Sequence, residues 1–211
     1  VVGGSWGAAL ALAYACANPQ ATRALVLRST FVARRSDVAA FFAGGPFAGD
    51  INTILRELRD AMLGSDTVGQ HAVAMLWWRW ERERQGMAPP AAEPTGDALS
   101  FIIDRYRVQS HYLANDCWLA QPSLIERATR LRQLPSLLDA ADAVLAAHTV
   151  SGAHGAHAVP VAMLHGQADQ VCPIDAAEEL ALAMPQTRWR VLPGVQHDPT
   201  AAAMVQAMAR A

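Results

Sequence analysis

The sequence of 211 residues has little charge, few cysteines and no long apolar run, and each shortage excludes a class of protein. Only 17% of the residues are charged, and a formal net charge of -2 gives no electrostatic reason to expect nucleic acid or an anionic membrane surface as partner. No stretch reaches the roughly 18 uncharged apolar residues of a membrane-spanning helix. We therefore expect a small-molecule partner.

The three cysteines, Cys16, Cys117 and Cys172, are an odd number at scattered spacing. A chain of this length does not need disulfide bonds to stabilise its fold, so we expect free thiols and a reducing, cytoplasmic location. No basic segment precedes an apolar run, as it does in a signal peptide. The sequence also lacks an initiator methionine and opens within an apolar strand, so we expect it to be the later part of a longer protein.

Hydrophobic residues make up 52% of the chain, which is enough for a sizeable buried core. Residues 6–18 are rich in Ala and Leu, apolar on all sides and closed by Asn-Pro, which predicts a buried helix. Residues 24–29 form a short apolar run that predicts a buried strand. A strand, a tight turn, a helix and a second strand are half of a βαβ series.

Helical periodicity replaces the strand signals from residue 31 to about residue 158. Ile51, Ile54, Leu55, Leu58 and Met62 keep the spacing of one helix face, and further helices are predicted over 68–84 and 98–113. Apolar strands return over 159–166 and 188–194, with helices over 176–184 and 199–211. We predict an α/β core of residues 1–30 and 159–211, with a mainly parallel sheet, and a helical cap inserted over 31–158.

The stretch GGSWG places Ser5 in a Gly-x-Ser-x-Gly motif between an apolar strand end and a helix. This context is what a nucleophile elbow requires, because a sharp turn presents the serine hydroxyl at the start of the helix. Gly3 and Gly7 are expected to let the strand and the helix pass closely. The motif alone is a weak signal, and its position between strand and helix is what favours a catalytic Ser5.

A serine hydroxyl needs a histidine to take its proton and a carboxylate to orient that histidine. In α/β-hydrolases the chain order is serine, acid, histidine, with the acid after a late strand and the histidine after the last one. Asp169 in LHGQADQVCP and His197 in LPGVQHDP occupy these positions. They complete a predicted Ser-Asp-His triad.

Other residues compete for these roles. Asp198 directly follows His197, and from that position its carboxylate is poorly placed to accept a hydrogen bond from the ring of His197. Asp175 suits the first turn of the following helix. His165 is expected to pack or to form a hydrogen bond beside the acid loop, and Cys172 to line the site. His148, His154 and His157 lie in a Gly/Ala-rich linker without the spacing of metal ligands.

Together these residues resemble the prolyl aminopeptidases, also called proline iminopeptidases, of the α/β-hydrolase class. The similarity runs through GGSWGAALALAYACANP and LVLRSTFVARRSDV, over residues 1 to about 42. It returns in WWRWE and RVQSHYL within the insertion, and in LHGQADQVCP and VLPGVQH over about 159–198. Residues 114–158 match the family poorly.

The resemblance implies a serine peptidase that removes an amino-terminal proline from small peptides and needs no metal or organic cofactor. It assigns the triad to Ser5, Asp169 and His197, and one oxyanion donor to the backbone N–H of Trp6. The family's amine-binding glutamate in the cap corresponds to Glu81. A carboxylate there would bind the protonated imino group through charge-assisted hydrogen bonds.

Two departures from the family pattern matter. Gln109 stands where the family carries a second amine-binding glutamate, so it can accept a hydrogen bond but offers no charge, unless Asp116 or Glu83 replaces it. The family's His-Gly-Gly-Pro-Gly loop, which supplies the second oxyanion donor, and the strands beside the nucleophile strand would lie before residue 1. We therefore expect an unpaired strand edge and an incomplete oxyanion hole.

The function predicted from the sequence is therefore removal of an amino-terminal proline through an acyl-enzyme. Two alternatives stay open. One is an esterase or amidase on the same scaffold, suggested by Gln109, and the other is a catalytically inactive protein that keeps the hydrolase fold. The oligomeric state is left undetermined.

Overall fold

Four parallel strands form one sheet in the spatial order β1-β2-β3-β4. They are β1 (Val2–Ser5), β2 (Leu25–Thr30), β3 (Val161–Gly166) and β4 (Thr187–Leu192). Our computed structural model describes residues 1–132 and 159–211, so the interpretations of His148, His154 and His157 lie outside the described residues. Within those ranges β1 pairs only with β2, which leaves its other edge without a strand, as expected.

Eight α-helices accompany the sheet in the same two ranges. They are α1 (Trp6–Ala17), α2 (Arg35–Phe42), α3 (Ile51–Leu63), α4 (Thr67–Arg84), α5 (Gly96–Ala114), α6 (Leu124–Ala128), α7 (Ile174–Ala183) and α8 (Ala202–Met208). No helix of the described residues combines the length and the apolar character that crossing a membrane requires.

The parallel register decides where the loops meet. Val2 pairs with Val26, Leu25 with Val161, and Val161 with Thr187, so all four strands run the same way. The carboxyl ends of parallel strands therefore lie along one edge of the sheet, where α/β proteins place their ligand sites. The end of β1 and the segments after β3 and β4 carry the predicted triad residues to that edge.

The prediction that α1 is buried on all sides is wrong for one face. Leu10 is 55% exposed and Tyr14 is 48% exposed, whereas Leu12 and Ala15 are fully buried. The covered face of α1 packs on the sheet and on α6. The uniform apolar composition of this helix hides the difference between the two faces.

Two helices were not predicted. The helix α2 follows β2 directly and has a weak apolar pattern, although Phe41 and Phe42 are buried. The helix α6 is only five residues long, but its start carries a capping box. In it Ser123 Oγ accepts from the backbone N–H of Glu126, and a Glu126 carboxylate oxygen accepts from the backbone N–H of Ser123. The Ser-x-x-Glu spacing was therefore a usable signal.

Apolar side chains gather in two main clusters. One lies between α1, the sheet and α7 and includes Leu12, Leu27 and Met163. The other lies among α2 to α5 and includes Phe42 and Trp77. The helix α6 belongs to the stretch predicted as the insertion but packs into the first cluster. The exact bounds of the insertion remain a prediction.

Candidate active site

Ser5 lies at the turn between β1 and α1, and its backbone is strained. It has a φ of 55°, in the left-handed region that residues with a side chain rarely adopt. The register between β1 and β2 also shifts between Gly4 and Ser5. A strained serine at a sharp strand-to-helix turn is the geometry of a nucleophile elbow.

The two motif glycines differ in what surrounds them. A Cβ at Gly3 would lie 2.2 Å from the carbonyl oxygen of Gly7 and 2.8 Å from Cβ of Ala11, so the close passage of strand and helix requires a glycine there. A Cβ at Gly7 would meet no heavy atom within 4 Å. The packing role expected of Gly3 is confirmed, and that expected of Gly7 is wrong.

This difference gives a stability prediction. Gly3→Ala should lower the free energy of unfolding by roughly 1 to 3 kcal/mol, because the added methyl group overpacks the contact between β1 and α1. Gly7→Ala, the matched control, should leave it unchanged or raise it by up to about 1 kcal/mol, since alanine favours a helix more than glycine does. Denaturant unfolding of both variants measures this, and equal destabilisation would contradict the close-passage argument.

His197 bridges Ser5 and Asp169. Its Nδ1 lies 2.7 Å from Asp169 Oδ2, and its Nε2 lies 3.0 Å from Ser5 Oγ. Because an ionised carboxylate can only accept, Nδ1 carries the hydrogen and Nε2 is left to accept the hydroxyl proton of Ser5. The structure thus brings the three predicted residues together with hydrogen-bond geometry suited to proton transfer.

Asp169 is a buried carboxylate that is held as an anion. Burial of this carboxyl would by itself raise its pKa, but the hydrogen bond and charge of His197 and the backbone N–H of Cys172 outweigh it, so the pKa lies below its ordinary value. The other carboxylate oxygen accepts from the backbone N–H groups of Val171 and Cys172, at 2.9 and 2.8 Å. The competing acids lie elsewhere: Asp198 accepts from Thr200, and Asp175 is in the first turn of α7.

His165 forms a hydrogen bond to the loop that carries Asp169. Its Nδ1 accepts from the backbone N–H of Thr30 at 3.1 Å, so its Nε2 carries the hydrogen and donates to the carbonyl oxygen of Cys172 at 2.9 Å. Burial, the largest effect, lowers the pKa of His165 despite the opposing attraction of Asp169. The ring is therefore neutral at neutral pH and ties β2 to the loop that carries Asp169.

A neutral buried histidine makes stability depend on pH. Its folded pKa is below the unfolded value of about 6.5, so the stability it contributes is present above that value and is lost as the pH falls from it to the folded pKa. Between pH 7.5 and 5.5 the free energy of unfolding of the wild type should fall more steeply than that of His165→Gln, by at most about 1.4 kcal/mol per pH unit. Denaturant unfolding at both pH values measures the slopes, and parallel slopes would argue against a neutral His165.

A cavity of about 610 Å³ opens in front of Ser5. Its wall is mainly apolar and is formed by α2, α5 and the loops after β2 and β3, with Phe31, Val38, Phe41, Leu113 and Val171 among its residues. Trp6 stacks on Phe31 with ring centres 5.6 Å apart. Cys172 also lines the cavity, and burial raises the pKa of its thiol well above the ordinary value, so it remains a neutral thiol beside the serine.

The predicted amine-binding residues lie on the same cavity wall, but one of them is already paired. Glu81 on α4 and Gln109 on α5 both line the cavity. Glu81 accepts hydrogen bonds from Arg105, Tyr106 and Gln85. Burial, the largest effect, and the adjacent charge of Glu81 raise the pKa of Tyr106, so its hydroxyl stays protonated and donates to that carboxylate.

Sequence reasoning missed Arg105 and Asp37 as cavity residues. Arg105 and Gln109 are four residues apart and share one face of α5, which a helical projection from Gln109 would have indicated. No sequence signal marks Asp37, whose buried carboxylate pairs with Arg34.

Asp116, considered as a replacement for the charge missing at Gln109, pairs with Arg35. Among residues 1–132 and 159–211, no three His, Cys, Asp or Glu side chains are grouped as a metal site would need.

The family model described as serine aminopeptidase, S33, matches residues 1–201, so the chain belongs to that family. It is 26% identical to a proline iminopeptidase of Xylella fastidiosa, over 94% of this chain and 61% of that protein. It is also 26% identical to a proline iminopeptidase of Xanthomonas citri, over 100% of this chain and 65% of the relative. These findings confirm the resemblance to prolyl aminopeptidases, although the chain spans less than two thirds of the length of either relative.

The fold agrees with a solved structure. A crystal structure of a candidate lipase from Acinetobacter baumannii AYE superposes with a TM-score of 0.52 at 17% identity, over 98% of this chain and 57% of the other. At this sequence identity, the structural similarity shows only that the two proteins share a fold. Together with the parallel sheet and the family match, it confirms the predicted partial α/β-hydrolase fold.

Proposed function

We propose that this protein is a serine hydrolase that cleaves its substrate through an acyl-enzyme, with Ser5 as nucleophile. The observation that supports this is the hydrogen-bonded series from Ser5 Oγ through His197 to Asp169, at 3.0 and 2.7 Å. The strained φ of Ser5 and the cavity in front of its hydroxyl are consistent with the same role.

The chemistry would follow from this geometry. Ser5 Oγ attacks the substrate's carbonyl carbon while His197 Nε2 takes the hydroxyl proton, and Asp169 stabilises the imidazolium that forms. The backbone N–H of Trp6, the first residue of α1, has no acceptor within the helix and is proposed as an oxyanion donor. His197 then returns the proton to the leaving amine. In the second half of the reaction, water attacks the acyl carbon while His197 takes the proton of the water, and that proton passes to Ser5 Oγ as the acid product leaves.

We propose peptides with an amino-terminal proline as the substrate class. The relatives named above are proline iminopeptidases, and Glu81 and Gln109 lie in the cavity that begins at Ser5. In this assignment the Glu81 carboxylate binds the protonated imino group of proline and Gln109 accepts a further hydrogen bond. The apolar wall would hold the pyrrolidine ring.

One observation favours a second candidate, an esterase or amidase that takes an uncharged acyl group. Glu81 is paired with Arg105, and Gln109 is neutral, so the end of the cavity proposed for the amine has less free negative charge than an ammonium site needs. Ester and amide hydrolysis would use the same Ser5, His197 and Asp169.

A substrate comparison separates these candidates. The protein is assayed with a proline arylamide, its N-acetylated form and a short-chain aryl ester, and is also labelled with a fluorophosphonate probe. Turnover of the proline arylamide supports the peptidase, whereas ester turnover without proline-amide turnover supports the second candidate. A Ser5 that does not react with the probe and no turnover of any substrate would exclude catalysis by this chain.

A further inference from the structure

Glu81 forms an ion pair with Arg105. Arg105 Nη2 donates to Glu81 Oε2, and the Tyr106 hydroxyl donates to the same oxygen at 2.8 Å. Gln85 Nε2 donates to the other oxygen at 3.2 Å. The Glu81 side chain is only 14% exposed and the Arg105 side chain is 38% exposed, so this ion pair lies in the cavity wall with its carboxylate screened by water less than its guanidinium.

The surrounding side chains fix Arg105 in this position. Its guanidinium carbon lies 4.7 Å from the centre of the Tyr106 ring, a cation–π contact, and Nη2 also donates to the Tyr106 hydroxyl at 3.1 Å. Tyr106 is fully buried and stacks on Trp77 with ring centres 4.5 Å apart. The cation and the hydroxyl are therefore in place against Glu81 before a substrate enters.

The other acids of the cavity also have arginine partners, Asp37 as a buried carboxylate and Asp104 as an exposed one. Asp37 accepts from Arg34 Nη2 at 2.7 Å, and Asp104 accepts from Arg107 Nη1 at 2.8 Å. Among the described residues that line the cavity, no carboxylate lacks a guanidinium partner. An ammonium group that enters the cavity must therefore compete with an arginine for any negative charge.

We propose that Arg105 is a specificity residue that occupies the amine-binding position at Glu81, so that a substrate's ammonium group binds only by displacing the guanidinium. This inference rests on the proposed function, because it takes Glu81 as the amine site. Its consequence is a substrate preference: acyl groups that are uncharged at this end, as in esters and N-acylated amides, bind without displacing Arg105. A substrate with a free amine must displace Arg105, so it binds more weakly than it would at an unpaired Glu81.

Ligand binding tests this without depending on turnover. L-prolinamide and N-acetyl-L-prolinamide are titrated by calorimetry into the wild type, Arg105→Met and the double variant Arg105→Met/Glu81→Gln. Removing the guanidinium should tighten prolinamide binding by about tenfold, because a charge-assisted contact with Glu81 becomes available. Binding of the N-acetylated ligand should stay within twofold, and the double variant should lose the gain.

Two further variants control for structure. Arg79 is on the same helix as Glu81, is exposed and forms an ion pair with Glu93 outside the cavity. Arg79→Met therefore deletes an arginine–glutamate pair of similar kind and should change the affinity for neither ligand. If Arg105→Met does not fold, Arg105→Gln makes the same comparison, because a neutral amide can still donate to Glu81. A gain below twofold, or an equal gain for both ligands, would overturn the inference, since an equal gain reports only a larger cavity.

The inference and the proposed function fail separately. If no variant hydrolyses any substrate or reacts with the fluorophosphonate probe, while Arg105→Met still gains affinity for prolinamide alone, the hydrolase assignment fails and the role of Arg105 stands. If the proline arylamide is hydrolysed but the ratio of the two affinities does not change, only the role of Arg105 fails.

Discussion

Ser5→Ala should lower kcat for the substrate that the wild type prefers by roughly 10⁵-fold and abolish fluorophosphonate labelling. The variant keeps the Cβ and the backbone of the turn, and it removes only the oxygen that lies 3.0 Å from His197 Nε2. We therefore expect its free energy of unfolding to stay within about 1 kcal/mol of the wild type. Steady-state kinetics, probe labelling and denaturant unfolding measure the three quantities.

Ser100→Ala is the matched control. Ser100 is exposed on α5, and its hydroxyl donates only to the carbonyl oxygen of Gly96, at 3.2 Å, among the described residues. Both activity and labelling should remain at the wild-type level. Residual activity of Ser5→Ala above a hundredth of the wild type would show that another group is the nucleophile.

Asp169→Asn should lower kcat by about 10⁴-fold while KM changes little. The asparagine oxygen can still accept from the backbone N–H groups of Val171 and Cys172, so the loop should keep its conformation. Its amide nitrogen, however, donates to His197 Nδ1 and forces the hydrogen onto Nε2. The histidine then cannot accept the proton of Ser5.

Asp198→Asn and Asp175→Asn test the two rival acids on the same assay. The Asp198 carboxylate accepts from Thr200, and Asp175 lies in the first turn of α7, so neither variant alters the hydrogen bonds of His197. Each should keep kcat within about threefold of the wild type. A loss at Asp198 as large as that at Asp169 would move the acid role to the residue beside the histidine.

The positions of Ser5, Asp169 and His197 were predictable because each follows a short apolar segment that forms a strand. Once the strands are parallel neighbours, their carboxyl ends meet, and no detailed packing is needed to bring the three residues to one edge. Helix bounds over α3, α4 and α5 were likewise close to prediction, and for α3 the reason is a sustained apolar period, which is a local property.

The short elements were harder to predict. The helix α2 is buried through two adjacent phenylalanines and has no clear period, and α6 has only five residues. The exposed face of α1 was missed for a different reason: residues 6–17 are apolar on both faces, so composition cannot tell which face the sheet covers.

By itself the sequence determined the class of fold and the chain order of the predicted triad residues Ser5, Asp169 and His197, and its resemblance to the prolyl aminopeptidases pointed to Glu81 and Gln109. Only the tertiary structure decided the electrostatic state of that cavity. Glu81 and Arg105 are 24 residues apart on two helices, and the packing of α4 on α5 brings their charges together. The charge that a carboxylate offers to a ligand depends on which cation lies beside it, and that neighbour is set by packing between helices.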